Sequence, residues 1–213
     1  MKKSDQLRGR WNANWTRTEN HNLETTFLAA LHYMDVPASL RAEIAKPGNL
    51  TAKGVDEKYR KDIAKTVGQL KRDERSVEIN RFRVAERKSN LSKVKVDKAD
   101  VAGALRRQEL RQHVKSSSTK MEFLFDAKNF EFAEAVLETH PALSGLSAEQ
   151  FTDVQNAYIQ NRYPSELAEL AELEEIVATL AAVQSVAREA ILKDSGLTGR
   201  GDIAKWWDEI PAA

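Results

Sequence analysis

The chain has 213 residues, 41% of them hydrophobic and 31% charged, a balance that suits solvated helices with narrow apolar stripes better than a thick α/β core. It has no cysteine, which excludes disulfides, thiolate nucleophiles and Cys-ligated metal sites. No run approaches 18 apolar residues, so no membrane span is expected, and the polar start Met1-Lys2-Lys3-Ser4-Asp5 leads into no apolar segment of a signal peptide. The expectation is a soluble protein, cytoplasmic during synthesis. The 33 Lys+Arg and 32 Asp+Glu give a net charge of +1, but they are segregated. Residues 1–120 hold 27 Lys+Arg and 15 Asp+Glu, and residues 121–213 hold 6 and 17. Such asymmetry points to interaction surfaces.

Residues 1–21 read as a basic arm in which a helix would place Trp11 and Trp15 on one face. Leu23, Phe27, Ala30, Leu31 and Met34 follow helical spacing, and Asp35-Val36-Pro37 reads as the cap and first turn of a second, short helix ending at Pro47-Gly48. A third helix runs from Gly54 to about Arg75 on a stripe of Tyr59, Ile63, Val67 and Leu70. Residues 76–96 allow two readings: a continued helix, which the polar helices elsewhere favour, or a small β-hairpin suggested by the alternation of Val77 with Ile79 and Phe82 with Val84. Asp97 or Asp100 caps a helix to about Lys115, broken by Ser116-Ser117-Ser118-Thr119, where the charge also changes sign.

Residues 121–139 are the densest aromatic stretch, and a turn spans Pro141 to Gly145. Ser147-Ala148-Glu149-Gln150 is a capping box. Pro164 opens what reads as the longest helix, to about Asp194. Its heptad-like seam is Leu170, Leu173, Val177, Leu180, Ala187 and Ile191, with Gln184 in the gap. Gly196 suits the position after the helix. Gly199-Arg200-Gly201 reads as a hinge before an amphipathic end. The division is a basic Trp-containing arm (1–21), a basic helical region (22–118), an acidic helical bundle region (119–196), and a linker with a Trp-containing anchor (197–213).

Chemistry-bearing patterns are sparse. The four histidines share no metal spacing, and His21, Glu24 and His32 read better as a polar helix face than as a metal site. The glutamates from Glu166 to Glu175 fall on the outer face of a seam-forming helix, where a solvated face is the simpler reading. No dinucleotide, Walker or nucleophile-elbow loop occurs, and Arg200-Gly201-Asp202 is a three-residue match of the kind chance supplies. No catalytic residue, metal or cofactor is expected. The basic third helix carries Lys58, Arg60, Lys61, Lys65, Lys71 and Arg72, candidates for nucleic-acid contact, with Asp56, Glu57, Asp62, Asp73 and Glu74 interleaved. Trp11, Trp15, Trp206, Trp207 and Ile210 are candidate anchors, docking either on the chain itself or in a partner's pocket.

Residues 104–192 contain Ala104-Leu105-Arg106-Arg107-Gln108-Glu109-Leu110-Arg111, then Pro141-Ala142-Leu143-Ser144-Gly145-Leu146-Ser147, then Tyr163-Pro164-Ser165-Glu166-Leu167-Ala168-Glu169-Leu170. This texture resembles uncharacterised helical proteins of tailed bacteriophages and prophages. The resemblance implies a phage setting and carries no functional residues across. The resulting expectation is a mainly α, extended protein. Its expected role is a non-enzymatic structural or assembly component, in a homo-oligomer or multi-protein assembly, that binds neighbours through its basic and acidic halves. The alternative is a DNA- or RNA-binding regulator or packaging accessory using residues 1–120.

Overall fold

The computed structural model describes residues 3–17, 20–95, 97 and 99–213. Among them are nine α-helices and no strand: α1 (Lys3–Arg8), α2 (His21–Ala45), α3 (Ala52–Leu91), α4 (Val101–Ser116), α5 (Lys120–Leu124), α6 (Glu131–Leu137), α7 (Ala148–Arg162), α8 (Pro164–Asp194) and α9 (Arg200–Glu209). The protein is mainly α. Its contacts divide it into two compact units, one of Met1–Phe82 with Glu172–Ala213, the other of Arg83–Ala171. This division does not fall at Ser116–Thr119. The serine cluster does separate α4 from α5, but both helices belong to the second unit.

The first unit is built on three stripes. Tyr59, Ile63, Val67 and Leu70 of α3 are fully buried, as their i, i+4, i+8, i+11 spacing requires. Ile176, Leu180, Val183, Ala187 and Ile191 of α8 and Phe27, Ala30 and Leu31 of α2 complete the same core. α2 is one helix, not two: Pro37 lies inside it. A mid-helix proline removes one backbone hydrogen bond and costs ~3 kcal/mol. Apolar residues on both sides of Pro37, Met34 and Ile44 among them, lie in one core and offset that cost. The Ser39 hydroxyl also donates to the carbonyls of Asp35 and Val36 beside the break.

α3 is the longest helix among those described, at 40 residues against 31 for α8. It runs through Leu91, so residues 76–91 are helical, as the favoured reading has it, and the β-hairpin alternative does not hold there; Val96 lies outside the described residues. The apparent alternation breaks up on a helix. Val77 and Val84, seven apart, are buried, while Ile79 and Phe82 are left in the open.

The C-terminus of α8 is held by side chains from α2 and α3. Tyr59 Oη donates to the Ile191 carbonyl (3.2 Å), Arg41 Nη1 to Asp194 (2.5 Å) and Arg60 Nη1 to Ser195 (2.8 Å). These satisfy orphan carbonyls of the last turn. Gly196 follows at φ 75°, and a Cβ there would run into the Asp56 carboxylate, which is itself paired to Arg41 Nη2 at 2.6 Å.

The second unit packs α4 to α7 around Val114, Leu124, Val136, Val154 and Tyr158. Asp100 caps α4 by accepting from Gly103 N at 2.8 Å. The capping box of α7 is complete: Gln150 N donates to Ser147 Oγ and Ser147 N to Gln150 Oε1, both at 3.1 Å. The basic helix α4 lies against the acidic helix α6. Arg106 bonds Glu131 at 2.7 Å, and Glu138 takes both Arg107 (2.8 Å) and Arg111 (3.3 Å).

Candidate functional site

The aromatic anchors are largely used within the chain. Trp15 and Trp207 are buried in the core of the first unit, and Trp11, Trp206 and Ile210 pack half-buried against it. Trp11 meets Trp15 edge-on at 5.5 Å and Phe27 at 5.0 Å. Trp11 and Trp15 do not share a helix, because Trp15 ends a 3-10 turn, Ala13–Trp15. The N-terminal segment is therefore docked, with Leu7 in the core and Ser4 Oγ donating to Asp35 Oδ2 at 2.9 Å. At the other end, Arg200 and Gly201 form the first turn of α9, capped by Gly199, and the hinge reading is corrected. Trp207 is held by the Arg188 guanidinium 4.4 Å from its ring centroid. Partner docking through Trp15 and Trp207 would require undoing this core.

The six basic candidates of α3 split in two. Arg60 and Lys71 turn inward. Arg60 holds Ser195, and Lys71 Nζ donates to the carbonyls of Trp207 and, at 2.6 Å, Ile210. Lys58, Lys61, Lys65 and Arg72 remain exposed, and their steps of three, four and seven residues put them on one outer face. Lys58 is partly engaged by Asp62 at 2.9 Å, and Arg72 by Asp73 at 3.5 Å.

Further along α3 the surface becomes apolar. Ile79 is 44% exposed and Phe82 71%, one turn apart. In the second unit, Val101 and Leu105 of α4 are 71% and 59% exposed, also one turn apart. On a strand Ile79 would share a face with Val77; on the helix it parts from Val77 and stands one turn from Phe82.

One cleft of about 230 Å³ opens between α3 and α8 within the first unit. Glu74, Val77, Glu78 and Arg81 line one side, and Ala181, Gln184, Ser185 and Arg188 the other. Burial, more than any neighbour, raises the Glu74 carboxyl above the ordinary carboxylate range; Glu78 adds to this and Arg188 opposes it. Gln184 is 2% exposed, and its Nε2 has no hydrogen-bond partner among the described residues. No group of three or more His, Asp or Glu with metal-site geometry occurs among the described residues, and none of their helices is long and apolar enough to cross a membrane. No protein-family model, curated protein or solved structure matches the chain.

Proposed function

We propose that this protein is a non-enzymatic structural or assembly component of a larger complex, self-associating and working in a bacteriophage particle or its assembly. The observation that carries the assembly role is the pair of open apolar steps, Ile79–Phe82 on α3 and Val101–Leu105 on α4. A single exposed Leu or Phe is ordinary, but aligned pairs on long helices are the kind of surface that a neighbour covers. The phage setting rests on the texture of residues 104–192 alone. The test is sedimentation velocity of the full chain beside the Phe82→Ser, Leu105→Ser double variant. The wild type is expected to sediment as an oligomer and the variant, with unchanged circular dichroism, as a smaller species. Equal sedimentation of the two would overturn the reading.

A second reading is favoured by the outer basic face of α3, Lys58, Lys61, Lys65 and Arg72. Four phosphate contacts would give a salt slope of roughly −3.6 in log K against log salt on duplex DNA. A mobility-shift series on random duplex, with all four residues changed to Gln, separates the readings. Wild-type binding lost in the variant would favour a nucleic-acid role, and no shift at low salt would exclude it.

A further inference from the structure

The cleft between α3 and α8 holds an arrangement that the assembly reading does not use. Two carboxylates, Glu74 and Glu78, sit one turn apart on α3, where like charges repel. Two guanidinium groups, Arg81 and Arg188, line the same cleft. Among the described residues, no ion pair within 4.0 Å joins either acid to either arginine, although opposite charges this near a common cleft gain by closing on each other. Arg188 is instead held over the Trp207 ring, which fixes its position at one end. The cleft wall carries Gln184, a residue of the α8 seam where every other core position is apolar. Burying a carboxamide with an unpaired N–H is destabilising, and an apolar residue at that position would avoid the penalty. Ser185 adds a hydroxyl that both donates and accepts.

These groups have one chemistry in common. They offer acceptors for a cation, donors for an anion, and an amide able to serve either, all around a volume of about 230 Å³. A simple cation would face the two arginines, and a simple anion the two glutamates. A ligand carrying both charges satisfies both pairs. We propose that the cleft binds a small zwitterion of the free amino-acid type, its ammonium against Glu74 and Glu78 and its carboxylate against Arg81 and Arg188, with Gln184 completing the hydrogen bonds. The raised Glu74 carboxyl is in keeping with this, since an ammonium brought beside it would favour its ionised form.

The test is isothermal titration of the full-length protein with glycine, L-alanine and L-glutamine, and separately with methylammonium and acetate. At least one amino acid is expected to bind saturably, at least tenfold more tightly than either single-charge probe. Glu78→Gln and Arg81→Gln alter exposed side chains and are each expected to weaken that binding at least tenfold. Gln184→Leu is expected to weaken it too while the melting temperature holds or rises, because the unpaired amide is gone. The proposal is overturned if no amino acid saturates. Methylammonium or acetate binding as tightly as the amino acids, or binding indifferent to all three substitutions, overturns it equally.

Discussion

Ile63 has no exposed surface and sits mid-stripe on α3. Ile63→Ala removes buried methyl groups from a core that also includes α2 and α8, and is expected to cost about 3 kcal/mol, read from urea unfolding. Tyr33 provides a test of charge at the same scale. Its hydroxyl donates to Asp73 Oδ2 at 3.1 Å, and burial, followed by the Asp73 carboxylate, pushes it up to about 12. The folded phenol therefore keeps its proton in a range where the unfolded one, near 10, has lost it. A raised folded value means stability that is present below pH 10 and drains away between 10 and 12. Tyr33→Phe should lower stability at pH 8 and flatten the fall between pH 10 and 12, measured by the urea midpoint at each pH. An unchanged slope in the variant would remove Tyr33 from the alkaline transition.

At the scale of elements, α4 against α6 is the clearest case of sequence charge becoming structure. Glu138 is 28% exposed and serves Arg107 and Arg111 together. Glu138→Gln leaves two half-buried guanidinium groups without their shared carboxylate and is expected to cost about 2 kcal/mol. The matching change at Lys53, an exposed i, i+4 partner of Glu57, should cost under ~0.5 kcal/mol. Helix ends with side-chain grammar were legible from the sequence: Asp100, the Ser147–Gln150 box, Pro164 and Gly196 stand where their chemistry placed them. So were the stripes of α3 and α8. The errors arose where a local signal lost to tertiary packing. Pro37 reads as a helix start, yet burial on both sides carries α2 through it. Gly199-Arg200-Gly201 reads as a hinge, yet α9 already begins at Arg200, and Trp207 anchors that helix in the core. The cleft was only half legible. Gln184 stood out as the gap in a seam, but nothing in linear order brings Glu74 and Glu78 opposite it.

For the whole molecule the net charge of +1 conceals two levels of cancellation. Along the chain, a basic stretch to residue 120 opposes an acidic remainder. Within the fold those stretches are dealt into both units. The first unit holds 20 Lys+Arg and 19 Asp+Glu, the second 13 of each. Arg17 with Glu172, Arg60 with the end of α8, Lys71 with the end of α9, and α4 with α6 are where basic residues are taken up. Much of the segregated charge is thus taken up inside each unit, and on the proposed assembly role it is the exposed apolar steps at Ile79–Phe82 and Val101–Leu105 that a neighbour would cover. The most direct test is the mass of the full chain by sedimentation equilibrium at about 0.05 M and about 0.5 M salt, across which the screening length shrinks roughly threefold. Apolar contact predicts the same oligomer at both salts. An oligomer that dissolves as salt rises would mean that the two charged halves meet between copies, and a monomer at both would contradict self-assembly outright.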